Sequence, residues 1–280
     1  MNLSESNSKC FDITCLCRSW ELKLIEDLKN DYLLYTNRPD EYKKKVDSVS
    51  ELFRFSGSDV LLNDYLPTGF SGNYNRKDMI AILGINPGFA KKRDRAEENE
   101  IRKESWDSYR KFHQEFYKFF KRRGFESPYY TMFWHFFSGL NRIDETENKW
   151  DFFDQNVLNL NLIPYHSVST SLPSKFNGRQ EEFLEERFAN VAEFARKRRP
   201  RLWIFNGKPW HTLIIEGGRG GSFSRKKITD KFSLYMFEFE GAPAVLFDKF
   251  FSGHYWGITK KHRMDIIPRI ISRKYPDVAS

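Results

Sequence analysis

The chain has 280 residues, 40% hydrophobic and 17% aromatic, with 46 Lys plus Arg against 38 Asp plus Glu and a formal net charge of +8. That length suits one large α/β domain or a core domain with an appendage, and 27 phenylalanines supply apolar surface for a sizeable core. No run approaches the ~20 apolar residues of a membrane span and no basic-then-apolar leader opens the chain, so a cytoplasmic, monomeric protein without a membrane partner is expected; the positive excess suits a polyanion.

Residues 1–9 are polar. Cys10, Cys15 and Cys17 follow as a cluster of three thiols, too few for a disulfide framework, and are read as reduced structural thiols with no metal and no cofactor. Apolar positions at helical spacing, including Leu24, Leu28 and Leu34, predict a helix over residues 20–35, and a second is predicted over 41–55. Residues 1–75 thus read as an N-terminal helical extension and 76–280 as an α/β domain. Four short apolar runs bounded by Gly, Pro or Asn, at 79–83, 157–163, 202–205 and 244–247, have the pattern of buried parallel strands. Helical patterns lie between or around them at 105–123, 129–140, 179–199 and 209–215. A further strand is predicted at 233–240, and a last helix at 258–274 with a kink at Pro268. Alternation of strand and helix predicts a doubly wound α/β sandwich. Its centre would be a mostly parallel four-stranded sheet with helices on both faces.

In such a sheet the ligand site lies beyond the carboxyl ends of the strands. The first strand runs into Gly84-Ile85-Asn86-Pro87-Gly88-Phe89, a tight turn in which backbone can approach a ligand closely. The second ends in Asn159-Leu160-Asn161-Leu162-Ile163-Pro164-Tyr165-His166-Ser167. The third enters Asn206-Gly207-Lys208-Pro209, read as architectural. The fourth leads to Phe250-Phe251-Ser252-Gly253-His254-Tyr255-Trp256-Gly257. Taken singly, Asn-Pro-Gly is ordinary turn chemistry and a strand-end Asn commonly caps its own backbone.

The order of these motifs resembles the uracil-DNA glycosylase superfamily over roughly residues 78–273. The first motif is similar to that of the mismatch-specific uracil/thymine-DNA glycosylases and the single-strand-selective uracil-DNA glycosylases. The resemblance implies a monofunctional DNA glycosylase that flips out a pyrimidine and hydrolyses its N-glycosidic bond. It gives Asn86 the attacking water and Phe89 the stacking face, within a pocket that includes Gly84, Ile85, Pro87 and Gly88. Asn161 would read the base edge, with Asn159 as the fallback, because an amide offers one acceptor and two donors. His254 would stabilise the departing base anion. The family's last motif reads His-Pro-Ser or Asn-Pro-Ser, whereas here Tyr255-Trp256 follows His254. No lysine is tied to the motifs as a Schiff-base nucleophile, although Lys91 and Lys92 stand near the first.

DNA is the implied partner. Tyr255 and Trp256 are candidates for a wedge in the base stack, Lys260, Lys261 and Arg263 for phosphate contacts, and Arg225 and Lys226 for a basic DNA-binding loop within 217–227. The altered last motif and long insertions favour a modified pyrimidine as substrate, including a bulky base of the kind used by phages, with phage defence as the setting. Uracil or mismatch repair is the alternative. A non-catalytic nucleic-acid-binding module is a third possibility. A nucleotide-binding enzyme of another class is disfavoured, since Gly84–Gly88 matches neither the Gly-x-Gly-x-x-Gly fingerprint nor a phosphate loop.

Overall fold

A computed structural model describes residues 22–55, 57, 60–88, 105–144, 146–168, 176–249, 251 and 256–279. Two consecutive helices that pack on each other come first, α1 (Lys23–Asn37) and α2 (Pro39–Phe53). Pro39 starts α2 where its missing N–H costs nothing, and Asp40 and Glu41 favour the same end through the helix dipole. Strands β1 (Phe70–Ser71) and β2 (Ile80–Gly84) follow. Next come α3 (Trp106–Gln114), α4 (Phe116–Arg123), α5 (Pro128–Asn141), α6 (Lys149–Asn156) and β3 (Val157–Asn161). The long α7 (Gly178–Arg198) opens on a capping box between Asn177 and Gln180 and precedes β4 (Leu202–Asn206). A short helix, Lys208–Trp210, passes into a π-helical stretch, His211–Glu216. Strands β5 (Ser224–Thr229), β6 (Phe232–Phe239) and β7 (Ala242–Phe247) complete the sheet, and a π-turn, His262–Ile266, leads into α8 (Ile267–Lys274).

The fold is α/β, but the sheet is larger and more mixed than the expected four parallel strands. It has seven strands in the order β1-β3-β2-β4-β7-β6-β5. The four strands read from sequence form its parallel centre, β3-β2-β4-β7. Antiparallel additions extend both sides: β1 pairs with β3, β6 with β7, and β5 with β6. Two residues of β1 are too few to show a period. In β5, exposed basic side chains hide the strand signal, and residues 224–229 form this edge strand where a loop was expected. Lysine and arginine on an edge also discourage pairing with a second chain.

Strand alternation divides the core. Ile80, Ile82, Val157, Leu202, Ile204, Val245 and Phe247 face one aromatic cluster with α4, α5, α6 and α8. Ala81, Leu83, Leu158, Leu160, Trp203, Phe205 and Leu246 face the other with α1, α2 and α7. The N-terminal segment therefore does more than cover the domain, since its helices share a core with the central strands and β1 lies in the sheet. The predicted helix at 105–123 is broken at Glu115 into α3 and α4, and α6 was not anticipated. No helix among the described residues is long and apolar enough to cross a membrane.

Candidate functional site

The connection after β2 leads to β3 on one side, and the connections after β3 and β4 lead to the other. The crevice opened by this reversal is where open α/β sheets bind ligands. A cavity of about 250 Å³ lies there, lined by the ends of β2, β3 and β4 together with Thr68, Phe116, Ser127, Tyr129, Tyr130 and His166.

Its floor follows from the strand period. Val157, Asn159 and Asn161 share one face of β3, as Ile204 and Asn206 share that face of β4. Each strand turns from apolar to amide as it reaches the crevice. Between them β2 ends on Gly84, in register with Asn161. A Cβ at Gly84 would stand 3.1 Å from Asn161 Oδ1, so the missing side chain makes the depression that the amides surround.

Each amide is oriented by named partners. Asn86 Nδ2 donates to Tyr165 O at 3.1 Å and to Ser167 Oγ at 2.8 Å, committing both amide protons and turning the side-chain oxygen the other way. Asn161 Nδ2 donates to Thr68 O at 2.9 Å. Thr68 is itself fixed by Thr68 N to Pro164 O at 2.6 Å and by a 3.0 Å contact between its hydroxyl and His166 Nε2. Asn159 Oδ1 accepts from the Tyr129 hydroxyl at 3.0 Å, and Asn206 Oδ1 accepts from Phe251 N at 2.8 Å. Burial, then the neighbouring Tyr130 phenol, holds the Tyr129 hydroxyl protonated well above the usual range; a hydrogen bond from Asn206 partly offsets this.

The loops after β2 and β3 are zipped together. Leu162 N donates to Gly84 O, Ile163 N to Ile85 O and Ser167 N to Pro87 O, and Gly88 bridges Ser167. This extends the parallel ladder past the strands and holds the Gly84–Gly88 turn rigid. Gly84, Ile85, Asn86, Pro87, Gly88 and Asn161 thus meet in one cavity. Phe89, His254, Tyr255, Lys91, Lys92, Cys10, Cys15 and Cys17 lie outside the described residues.

Sequence reasoning did not assign Thr68, Phe116, Tyr129 or Asn206 to the site. For Asn206 the signal was present, since it is a polar residue two positions after Ile204 on one face. Phe116 and Tyr129 sit in helices so rich in aromatics that nothing distinguishes them. Thr68 precedes a strand too short to read.

The expected phosphate contacts separate. Lys260 and Lys261 are exposed, and Lys249 follows the end of β7 as Lys208 follows that of β4. Arg225 and Lys226 are exposed on β5; Lys226 is level with Asn206 through the strand registers but three strands away, roughly 14 Å. Arg263 does not fit a phosphate contact. It is 4% exposed, and its Nε and Nη2 donate to Phe251 O at 3.4 and 3.2 Å, so its charge is spent inside the fold. Burial lowers its pKa. Trp256 is half-buried against the second core cluster, with Lys249 Nζ 5.3 Å from its ring centre and its carbonyl accepting from Thr229 Oγ1 at 2.7 Å.

The described lining contains no Asp, Glu, Lys or Arg. It offers amides, hydroxyls, one imidazole and aromatic rings. Such a set suits a neutral, planar ligand with mixed donors and acceptors, and lacks a charged group to hold a phosphate or carboxylate. No protein-family model matches the chain, and a search of curated proteins found no match.

Proposed function

We propose that the protein is a DNA glycosylase that takes a non-standard or modified pyrimidine into this cavity and hydrolyses its glycosidic bond. The observation that carries the reading is the uncharged cavity floored by Gly84 and ringed by Asn86, Asn159, Asn161 and Asn206. A flipped base needs hydrogen bonds to its edge and apolar contact with its faces. Asn159 and Asn161 supply the first, Phe116 and Tyr129 the second.

In this mechanism the bond from the sugar C1′ to the base nitrogen breaks, leaving an oxocarbenium-like sugar and an anionic base. Asn86 accepts a hydrogen bond from water through its side-chain oxygen and holds that water against C1′; the water oxygen bonds to C1′ and releases a proton to solvent, and the departing base anion takes one up. An amide is a weak base, but a cationic sugar needs a placed nucleophile more than a deprotonated one. The Tyr165 and Ser167 contacts keep the amide from rotating away. The leaving anion takes hydrogen bonds from the edge-reading amides, and His254 remains the candidate for further stabilisation. Lys208, Lys249, Lys260 and Lys261 supply cations for the phosphates on either side of the flipped nucleotide.

The test is incubation with DNA carrying uracil, mismatched thymine or bulky phage-type pyrimidines, with detection of the free base and of an alkali-labile abasic site. A released base from any of these supports the reading, and its identity chooses between modified-base removal and uracil or mismatch repair. Tight DNA binding with every substrate left intact would favour a non-catalytic binding module.

A further inference from the structure

β5 carries a surface that the crevice does not use. By the strand period Phe223, Arg225 and Lys227 share one face, with Arg225 level with Tyr235 and Lys227 with Ser233 on β6. Tyr235 belongs to the cluster packed with α1, α2 and α7, whereas Asn206 follows Ile204 to the other side of the sheet. The patch therefore lies across the sheet from the cavity. Arg225 is exposed yet held in one place. Its Nε and Nη2 donate to Ser233 Oγ at 3.2 and 3.0 Å, and its guanidinium carbon stands 5.7 Å from the centre of the Tyr235 ring. Tyr235 is fixed in turn by His211, whose Nε2 lies 3.0 Å from the phenol oxygen. Of the nearby carboxylates, Asp248 accepts from Ser233 N at 2.9 Å, Glu216 lies 3.3 Å from His211 Nδ1, and Asp230 pairs with Lys227. Arg225 and Lys226 form no ion pair among the described residues. A surface guanidinium ordinarily keeps its rotamer freedom, and this one has lost it without gaining a carboxylate. Beside it Phe223 meets the Tyr235 ring at 5.6 Å and leaves 46% of its surface in water.

We propose that Phe223, Arg225 and Lys227 form a separate binding surface for single-stranded nucleic acid, with a base stacked on Phe223 and phosphates on Arg225 and Lys227. The proposal goes beyond the glycosylase reading and does not need it, since no part of the cavity takes part. Aromatic stacking and a cationic track are the two means by which proteins hold single strands without reading their sequence. A guanidinium fork already fixed by Ser233 and Tyr235 engages a phosphate with little further loss of freedom. Arg225 and Lys227 stand about 7 Å apart on one face, two residues at roughly 3.4 Å each, so successive phosphates of an unstacked strand can meet both. Asp230 does not hold Lys227 back, because a pair whose carboxylate is 94% exposed is weak and easily exchanged for a phosphate. Duplex DNA keeps its bases stacked on one another and offers Phe223 none. An acidic peptide would meet the cations but gain nothing from the planar face of the ring.

The experiment follows the fluorescence anisotropy of labelled oligothymidylate, single-stranded or paired with oligodeoxyadenylate, as full-length protein is added. Neither probe carries a non-standard or mismatched base, so binding is read without excision. Phe223→Ala and Phe223→Leu should each weaken single-strand binding by about ten-fold, the value of one lost base stack, and leave duplex affinity nearly unchanged. Phe223→Tyr keeps the planar face and should bind like wild type. Arg225→Gln should weaken single-strand binding and reduce its salt slope by about one. Both side chains are exposed, so the variants should match wild type by circular dichroism. No single-strand binding by wild type, or unchanged binding in Phe223→Ala or Phe223→Leu, overturns the proposal. Equal weakening toward single strand and duplex also overturns it, since the patch would then be a general cationic surface. Base release is scored separately on the substrate panel. A protein that releases no base but holds single strands through Phe223 retains this inference and loses the glycosylase reading. One that releases a base while Phe223→Ala binds like wild type does the reverse.

Discussion

Asn86 Nδ2 lies 2.8 Å from Ser167 Oγ, joining the turn after β2 to the loop after β3 by a bond between side chains 81 positions apart. The same nitrogen reaches Tyr165 O, so the amide has one orientation and its oxygen one direction. Pre-orientation of this kind matters where a group acts by placing a water and not by taking its proton.

Asn86→Ala should therefore lower single-turnover base release by ~10²-fold or more while leaving the fold and DNA affinity nearly intact, since small misplacements of reacting groups cost on that scale. Ser167→Ala removes one of the two restraints and should cost less, about ten-fold on the same reasoning. Rapid-quench assays at saturating enzyme measure both. An Asn86→Ala rate within a few-fold of wild type would remove this residue from the mechanism.

Gly84→Ala tests the cavity floor. Asn161 Oδ1 stands 3.1 Å from where the new Cβ would be, so the amide must give way by a few tenths of an ångström. The unfolded chain loses freedom with alanine, which offsets some of the crowding, and stability should stay within about 1 kcal/mol of wild type. Binding of a flipped base should fall by about ten-fold, the value of one displaced edge contact. Thermal melts and oligonucleotide titrations separate the two effects. A variant that binds normally would mean that the base does not descend to Gly84.

How much of this was legible in the sequence depends on how local each signal is. The four central strands are short apolar runs cut off by Gly, Asn or Pro, and that pattern survives without tertiary knowledge. Asn86 and Asn161 stand at strand ends, where topology alone marks the ligand site. Tyr129 is different, because its hydroxyl reaches Asn159 on β3, 30 positions away, from a helix whose run of aromatics singles out no residue. Arg263 misled for a related reason. A basic residue following Lys260 and Lys261 reads as part of a surface patch, but the π-turn rotates it inward beneath Phe251. β5 was hidden because its exposed Arg225, Lys226 and Lys227 have no apolar alternation.

His113 predicts acid sensitivity. It is buried among Phe70, Tyr109, Phe112 and Phe116, and desolvation, assisted by the charge of nearby His166, pushes its pKa down from 6.5 to about 3. The folded protein holds this ring neutral where the unfolded chain would protonate it. Above pH 6.5 the two states bind the same number of protons and stability is unaffected. Between that value and about 3 the unfolded state binds one more proton, so stability falls with falling pH at a slope approaching ~1.4 kcal/mol per unit from this residue. Urea titrations across that window should show the slope, and His113→Phe should reduce it. An unchanged slope in the variant would assign the acid sensitivity to other groups.

The last prediction separates cations that meet DNA from one that holds the fold. Lys260 and Lys261 are exposed, whereas Arg263 donates to Phe251 O from inside the core. Each phosphate contact releases a counterion, so the logarithm of DNA affinity should fall linearly with the logarithm of salt concentration. Lys260→Gln and Lys261→Gln should each weaken binding and reduce that slope by about one. Arg263→Met keeps an apolar stem of similar reach and deletes the donors to Phe251 O. It should destabilise the protein by about 1–3 kcal/mol, the usual cost of leaving a buried polar group unsatisfied. Its salt slope should match wild type at temperatures where it is folded. Arg263→Met should therefore lower stability without changing the salt slope, whereas the two lysine variants should reduce the slope without lowering stability. A slope reduced by one in Arg263→Met would show that the guanidinium reaches a phosphate when DNA is bound.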